Sequence, residues 1–273
     1  MHQQIPAKLQ PIQQLDTEGP ALLLFDIDGT VTTKHGQIPA KVYAALEDLR
    51  SSGLLCVPVT GRPGGWCDMI ARTWPVDGVV GENGGLAFRL LGEGKAMERR
   101  FLQEPAKRLQ NRERLSSLGK NILSQVPGCA LASDQPYRDL DLAIDFCEDV
   151  PPLPQFKIDH IEKLFAQAGA VHKVSSIHVN GWFGDWDKRG MVIEVAKAWF
   201  GLDLQGIDRE RAIFIGDSPN DEPMFEFFPK SCAVANIQAF IDRLNHPPAY
   251  VTQGMGAQGF VELAEHILTT RKA

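Results

Sequence analysis

Two aspartates lie two positions apart at the end of an apolar run, residues 21–25. Asp26 and Asp28 point the same way if the chain is extended there, because side chains alternate along a strand. Neighbouring carboxylates repel each other unless a cation lies between them, and hard oxygen ligands suit magnesium. The sequence DIDGT therefore indicates a metal site, although a solvated turn after a strand would also hold both side chains.

Thr60 and Gly61 follow a second apolar run, residues 54–59. A hydroxyl beside a glycine with a free backbone N–H can cradle a phosphate oxygen. The same pair is also common in ordinary turns, so it indicates phosphate binding only in combination with the other residues.

A third apolar run, residues 211–216, leads into the sequence DSPND. Ordinary helix capping explains Ser218 and Pro219. It does not explain Asp217, whose carboxylate at a strand end again suits a metal ion. Lys188 is also unusual, because a lysine that opens a helix works against the helix dipole, although most lysines simply face solvent.

The elements that must position these residues alternate between strands and helices. Continuous apolar runs predict buried strands, and apolar residues at helical spacing predict the helices between them. The predicted strands are residues 21–25, 54–59, 76–80, 211–216, 231–235 and 249–252, and the predicted helices are residues 39–52, 66–72, 191–200, 223–228, 237–244 and 260–270. This order predicts an α/β fold with a doubly wound parallel sheet. Such sheets bind ligands where the strands end, so the polar residues above should meet at one edge.

The middle of the chain has a different pattern. Helices are predicted at residues 103–126 and 156–168, and strands at 140–146, 170–175 and 177–182. Apolar and polar residues alternate in the first of these strands, which suits a sheet with one wet face. We therefore expect a polar leader at residues 1–19, a core domain at 20–85 and 183–273, and an inserted α+β domain at 86–182.

The order of DIDGT, Thr60-Gly61-Arg62, Lys188 and GDSPND resembles the haloacid dehalogenase superfamily of aspartate-nucleophile phosphohydrolases. The long interval between Thr60 and Lys188 is similar to members of subfamily IIB, which carry an αββ-type cap there, and GENGG is similar to a loop common in that subfamily. The resemblance implies a Rossmann-like core, with residues 86–182 as the cap. It also implies hydrolysis of a small sugar or glycosyl phosphate, as in Cof-type, sucrose-phosphate, trehalose-phosphate and mannosyl-3-phosphoglycerate phosphatases.

The resemblance implies catalytic roles for the motif residues. Asp26 would attack phosphorus and form an aspartyl-phosphate. Asp28 would protonate the leaving oxygen and then deprotonate the hydrolytic water. Thr60, Gly61 and Lys188 would hold the phosphoryl oxygens, because this transfer depends on positioning and charge stabilisation.

The same resemblance implies Mg²⁺ as the cofactor. Its ligands would be the carboxylates of Asp26 and Asp217 and the backbone carbonyl of Asp28. The metal would offset the repulsion between an anionic nucleophile and an anionic phosphate. Asp221 would be an auxiliary ligand, and Asn220 would orient the phosphate or the metal.

The cap offers candidates for contact with the leaving group. Arg138, His178 and Asn180 are polar residues of the predicted cap, and Asn83 belongs to the core loop GENGG. Each also has a plainer interpretation: Arg138 lies in a polar segment that could be solvated surface, and His178 could be the wet face of a strand.

Composition excludes several classes of protein. The net charge of −6 argues against a nucleic-acid partner, and no apolar run is long enough to span a bilayer. The five cysteines are too scattered for a zinc site or a disulfide framework, so we expect a cytoplasmic monomer or homodimer that acts on a small phosphorylated metabolite. Two alternatives remain: a phosphosugar mutase of the same superfamily, and a receiver-type signalling domain, which would lack the insert.

Overall fold

The computed structural model describes residues 9–92, 96–175 and 177–271. The strands are β1 Gln10–Pro11, β2 Leu22–Phe25, β3 Leu55–Pro58, β4 Val79–Gly81, β5 Leu86–Leu91, β6 Ala96–Phe101, β7 Ala130–Leu131, β8 Asp141–Asp145, β9 Val171–Val174, β10 His178–Trp182, β11 Ala212–Gly216, β12 Lys230–Ala233 and β13 Tyr250–Val251. The α-helices are α1 Ala40–Ser51, α2 Gly64–Thr73, α3 Pro105–Gln125, α4 Gln155–Gln167, α5 Lys188–Phe200, α6 Glu222–Phe227 and α7 Ala257–Arg271.

The core domain is built on a parallel sheet with the strand order β1-β13-β12-β11-β2-β3. Side chains of strand β2 alternate between two apolar clusters. Leu23 and Phe25 pack with residues of α1, α2 and α7, whereas Leu22 and Leu24 pack with residues of α5 and α6. Because helices cover both faces, the sheet is doubly wound, and the predicted fold class is confirmed.

Two segments extend this core beyond the pattern read from the sequence. Strand β4 joins the sheet through a bridge between Val59 and Val80. It pairs with β5, which in turn pairs with β6, and these three strands form an antiparallel extension. The hairpin of β5 and β6 lies within residues 86–182, the predicted cap, yet Leu86 and Phe88 belong to the apolar core. Strand β1 and the buried Ile12 extend the core from within the predicted leader. The domain limits themselves stay a prediction.

The inserted domain contains an antiparallel sheet with the order β7-β8-β10-β9. Leu142, Ile144 and Val179 on one face pack against helices α3 and α4. Residues at alternate positions carry polar side chains, among them Asp141, Asp145, His178 and Asn180. Apolar and polar residues alternate as predicted for residues 140–146. The expectation that the polar face is wet is wrong, because this face, including His178, is buried where it meets the core domain.

The helix predicted at residues 237–244 is wrong. The chain instead forms two short 3₁₀ helices, Ala235–Ala239 and Ile241–Arg243. The side chain of Asn236 donates to the Gly29 carbonyl and accepts from the Gly256 N–H, which holds the first of them against neighbouring loops. Ile237 is the one residue buried in these two turns, so no apolar helix face forms. None of the described helices is both long and apolar enough to cross a membrane.

Candidate active site

Three neighbouring strands of the core sheet end at predicted catalytic or metal-binding residues. Asp26 follows β2, Thr60 lies just beyond β3, and Asp217 follows β11. Lys188 begins α5 and extends its side chain into the same place: Nζ lies 2.8 Å from Asp26 Oδ1 and 2.7 Å from Asp221 Oδ1. All of these side chains are buried. The strand-end geometry thus joins residues that are far apart in the chain.

The acidic residues of this edge can hold a metal ion. Asp26, Asp217 and Asp221 each offer an oxygen within 4.8 Å of the others. Asp217 Oδ1 is buried and has no hydrogen-bond partner among the residues that the structure describes. Burial raises the pKa of Asp26 to about 7, and burial together with Asp26 raises the pKa of Asp217. A divalent cation would satisfy the free oxygen and offset this repulsion, so the donor set fits Mg²⁺.

Gly29 keeps the space beside Asp217 open. Its φ of +77° lies in the left-handed region, and a Cβ at this position would lie 2.2 Å from Asp217 Oδ2. Any other residue would therefore displace the carboxylate. The glycine of DIDGT is explained by this close approach as well as by the turn.

Asp221 is held by the loop that contains it. Its Oδ2 accepts hydrogen bonds from the backbone N–H groups of Asp217 and Ser218, at 3.0 and 3.4 Å, and its Oδ1 accepts one from Lys188. Ser218 and Asp221 also form a reciprocal capping box. These contacts orient Lys188 and the loop, while a role for Asp221 as an auxiliary metal ligand stays a prediction. Asn220 accepts a hydrogen bond from the Ser218 hydroxyl at 2.9 Å.

Asp28 forms a bidentate ion pair with Arg62. The guanidinium Nε and NH2 donate to the two carboxylate oxygens at 2.9 and 2.8 Å. Arg62 is buried, whereas the Asp28 side chain is 23% exposed and faces open space beside Asp217. Roles were predicted from the sequence for Thr60 and Gly61 but not for Arg62, although Arg62 belongs to the same Thr-Gly-Arg motif.

Thr60, Gly61 and Asn83 come together as predicted neighbours of the phosphate. The Thr60 hydroxyl accepts from the Arg62 N–H at 3.1 Å, and the Asn83 N–H donates to the Thr60 carbonyl at 3.1 Å. A Cβ on Gly61 would lie 3.2 Å from Asn83 Oδ1, so the glycine permits the close packing of these two loops. Their proposed contact with phosphate stays a prediction.

The cap candidates bind each other and the core. Arg138 is buried; it donates to Asp134 and Asp141 and, at 2.9 Å, to the Gly61 carbonyl. Asn180 donates to the same Asp141 carboxylate at 2.9 Å. Asn83 Nδ2 lies 3.5 Å from that carboxylate. Arg138 therefore couples the cap to the core rather than lying on solvated surface, and the predicted contacts of these residues with substrate remain untested.

Glu82 joins the two domains, and sequence reasoning missed it. Its carboxylate accepts backbone N–H groups of Gly64 in the core, at 2.9 Å, and of residues 139, 140 and 141 in the cap, at 2.8, 2.6 and 3.1 Å. Burial and the Asp141 carboxylate raise the pKa of Glu82 to about 8, against the opposing effect of these N–H groups. Glu82 and Asn83 both have positive φ, at +45° and +53°. The only signal in the sequence was an acid inside the glycine-rich loop GENGG.

Glu148 is the second residue that sequence reasoning missed. It lies in the turn after β8, and its carboxylate is 2.9 Å from Arg62 NH2 and 2.8 Å from His178 Nε2. These contacts place His178 beside the site. The space enclosed between Asp26, Asp28, His178 and Asn180 is about 20 Å³. A cavity of about 590 Å³ reaches Asp28, Asp217 and Glu148 from outside.

Comparisons with known proteins agree with this geometry. The sequence profile of haloacid dehalogenase-like hydrolases matches residues 23–111 and 186–244. A Methanosarcina mazei protein named phosphoglycolate phosphatase is 27% identical over 249 residues, which are 90% of this chain and 95% of that protein.

Solved structures share the fold. A Thermoplasma acidophilum protein has a TM-score of 0.69 at 18% identity, and 91% of this chain and 98% of that chain are covered. A sugar phosphatase of subclass IIB of the haloacid dehalogenase superfamily has a TM-score of 0.61 at 15% identity, with 90% and 98% covered. The profile match includes DIDGT, Thr60, Lys188 and Asp217. The chain therefore belongs to the haloacid dehalogenase-like hydrolases and is a phosphatase, as the order of its four motifs predicted.

Proposed function

We propose that the protein is a magnesium-dependent phosphomonoesterase that acts through an aspartyl-phosphate on Asp26. One observation carries the proposal: the buried Asp26 carboxylate lies 2.8 Å from the Lys188 ammonium, and one of its oxygens lies within 4.8 Å of an oxygen of Asp217. Asp217 Oδ1 has no hydrogen-bond partner among the described residues. Attack on an anionic phosphate requires a carboxylate as the nucleophile and a fixed cation that stabilises the phosphoryl charge. The free oxygen of Asp217 can bind a metal ion, which supplies further positive charge.

Two steps follow from this placement. A carboxylate oxygen of Asp26 bonds to phosphorus while the bond from phosphorus to the ester oxygen breaks. Asp28, which must enter this step protonated and with one oxygen released from Arg62, gives its proton to the ester oxygen. Asp28 then takes a proton from water, whose oxygen bonds to phosphorus as the bond to Asp26 breaks. Lys188 stabilises the charge on the phosphoryl group, and Arg62 orients Asp28 through the bidentate pair.

Mg²⁺ would be held by the carboxylates of Asp26 and Asp217 and by the backbone carbonyl of Asp28. When bound, it neutralises part of the negative charge on the nucleophile and the phosphate. Burial raises the pKa of Asp26 and of Asp217, so their charged forms are unfavourable without a positive charge beside them. The raised pKa values therefore support a cation at this position.

The substrate we propose is a small sugar or glycosyl phosphate. The polar face of the cap sheet lies against the site, and the cavity of about 590 Å³ that reaches Asp28 and Asp217 would admit a small molecule rather than a folded protein surface. The subclass IIB sugar phosphatase has a similar fold, whereas the name of the Methanosarcina mazei protein makes phosphoglycolate the alternative to test. A cytoplasmic location and a monomeric or homodimeric state stay predictions.

The test is phosphate release from a panel of sugar phosphates and phosphoglycolate, with Mg²⁺ and after chelation, for the wild type and Asp26→Asn. Asp48→Asn, an exposed aspartate on α1, is the matched control. We expect Asp26→Asn to abolish turnover without a loss of folded structure, and chelation to remove activity reversibly. Retention of about a tenth of the wild-type rate would refute the nucleophile. Free inorganic phosphate as the product excludes a mutase, which would pass the phosphoryl group to a second sugar.

A further inference from the structure

Glu148 is positioned by a buried residue of its own turn. Asp145 accepts the backbone N–H groups of residues 147 and 148 through Oδ1, at 2.9 and 2.7 Å, and that of Asp149 through Oδ2, at 2.8 Å. Asp145 itself is 1% exposed. The turn is therefore fixed from within the cap sheet, and it directs the Glu148 carboxylate toward the core.

The Glu148 carboxylate lies next to the place where the leaving group must be. Arg62 NH2 donates both to Glu148 Oε1, at 2.9 Å, and to Asp28 Oδ1, at 2.8 Å. The Glu148 and Asp28 carboxylates therefore bind the same nitrogen and lie next to each other. The ester oxygen has to reach Asp28 to receive its proton. The atoms that follow this oxygen in the substrate consequently come beside Glu148, whose side chain is 29% exposed toward the cavity.

Glu148 remains an anion there. The contact with His178 lowers the pKa of Glu148 to about 2, and Arg62 contributes to this effect against partial burial. An ionised carboxylate accepts hydrogen bonds and donates none. It therefore favours hydroxyl groups and repels a second anion.

Arg62 offsets part of the Glu148 charge, but the two buried arginines of this region are largely occupied by carboxylates already. Each of the three nitrogens of Arg62 contacts a carboxylate: Asp28, Glu148 or Asp134. The nitrogens of Arg138 are engaged by Asp134, Asp141 and the Gly61 carbonyl. Each guanidinium has five N–H donors, and these contacts engage four of them, so at most one N–H group of each arginine is left for an incoming carboxylate.

We propose that Glu148 is a specificity-determining residue, which admits neutral leaving groups rich in hydroxyls and rejects those that carry a carboxylate or a second phosphate beside the phosphoester. The inference rests on the proposed phosphomonoesterase activity and narrows its substrate class. It places phosphoglycolate among the disfavoured substrates of this enzyme.

The experiment compares kcat/KM for glucose 6-phosphate, phosphoglycolate and p-nitrophenyl phosphate in the wild type and in Glu148→Gln, which keeps the shape and removes the charge. We expect the ratio of phosphoglycolate to glucose 6-phosphate to rise at least about tenfold, because like charges in contact disfavour a ligand strongly. The neutral aryl phosphate should change less than either. Glu148→Asp should preserve the wild-type discrimination.

Asp149→Asn is the matched control, because it removes one charge from the same exposed turn and leaves Asp145 and its hydrogen bonds in place. It should leave the ratio unchanged. Parallel changes on all three substrates in Glu148→Gln would mean that Glu148 only holds the cap closed, and would refute the proposal, as would a wild-type preference for phosphoglycolate. Absence of activity on every phosphomonoester would instead overturn the proposed function.

Discussion

Replacing Lys188 by methionine removes the one cation that we find among three buried carboxylates of the described site. Lys188 Nζ contacts Asp26 and Asp221 at 2.8 and 2.7 Å. The side chains of Lys188, Asp26 and Asp221 are each at most 5% exposed. Burial alone would lower the pKa of Lys188, but the two carboxylates outweigh burial and raise it, so the side chain stays charged. Methionine keeps most of the volume, and therefore the loss of charge dominates the effect.

Removing one partner of a buried ion pair costs about 3–5 kcal/mol, because the other charge is left uncompensated. Asp26 can take up a proton, since its pKa is already raised to about 7, so we expect the lower end of this range. For a domain of this size, about 3 kcal/mol corresponds to a fall in Tm of roughly 6–12 °C.

The assay is thermal unfolding of the wild type and Lys188→Met, without metal and with saturating Mg²⁺. Mg²⁺ should restore part of the lost stability, because it brings positive charge to the same carboxylates, while the rate should stay at least about a hundredfold low. Lys197→Met, an exposed position on the same helix, should change stability by less than about 0.5 kcal/mol. A metal-free Tm within about 2 °C of the wild type would refute the electrostatic argument.

Three further predictions concern the site and the domain contact. Gly29→Ala should lower Mg²⁺ affinity, measured by calorimetry, by at least about tenfold, because the new Cβ would clash with Asp217. Gly36 has a similar φ of +72° but open space around it, so Gly36→Ala is the control, and an equal loss of affinity in both variants would contradict the explanation by a clash. Glu82→Gln should lower the unfolding free energy in urea by about 3 kcal/mol, because the amide nitrogen cannot accept the two backbone N–H groups that one carboxylate oxygen now accepts, whereas the exposed Glu47→Gln should be neutral. Metal-free stability should fall as the pH rises from about 4 to about 7, because the folded state holds a proton on Asp26 that the unfolded state has lost; a flat Tm over this range without metal would contradict the raised pKa.

The core and its catalytic residues could be predicted because local patterns determine them. Continuous apolar runs mark the strands β2, β3 and β11, and in a parallel sheet the residues that follow each run meet at one edge. Asp26, Thr60 and Asp217 were therefore assigned to one site from the sequence. The helix at 237–244 failed for the converse reason, since the contacts of Asn236 with distant loops outweigh the local pattern.

The contacts between the domains could not be predicted, because they join residues far apart in the chain. Arg62 and Glu148 are 86 positions apart and meet only in the folded chain, and the Glu82 carboxylate reaches backbone groups at residues 139–141. No periodicity or spacing encodes such pairs. Arg138 shows the same limit: the sequence does not reveal its contacts with Asp134 and Asp141, and its predicted contact with the leaving group stays a prediction.

The central claim is that Asp26 carries the phosphoryl group during turnover. Protein quenched in acid during hydrolysis of glucose 6-phosphate or p-nitrophenyl phosphate, then digested, can be searched by mass spectrometry for a phosphorylated aspartate. We predict phosphate on the peptide that contains Asp26, dependent on Mg²⁺ and absent from Asp26→Asn. Phosphate on Asp217 or Asp221 instead, or turnover in Asp26→Asn with no phosphoryl-enzyme in the wild type, would contradict the account.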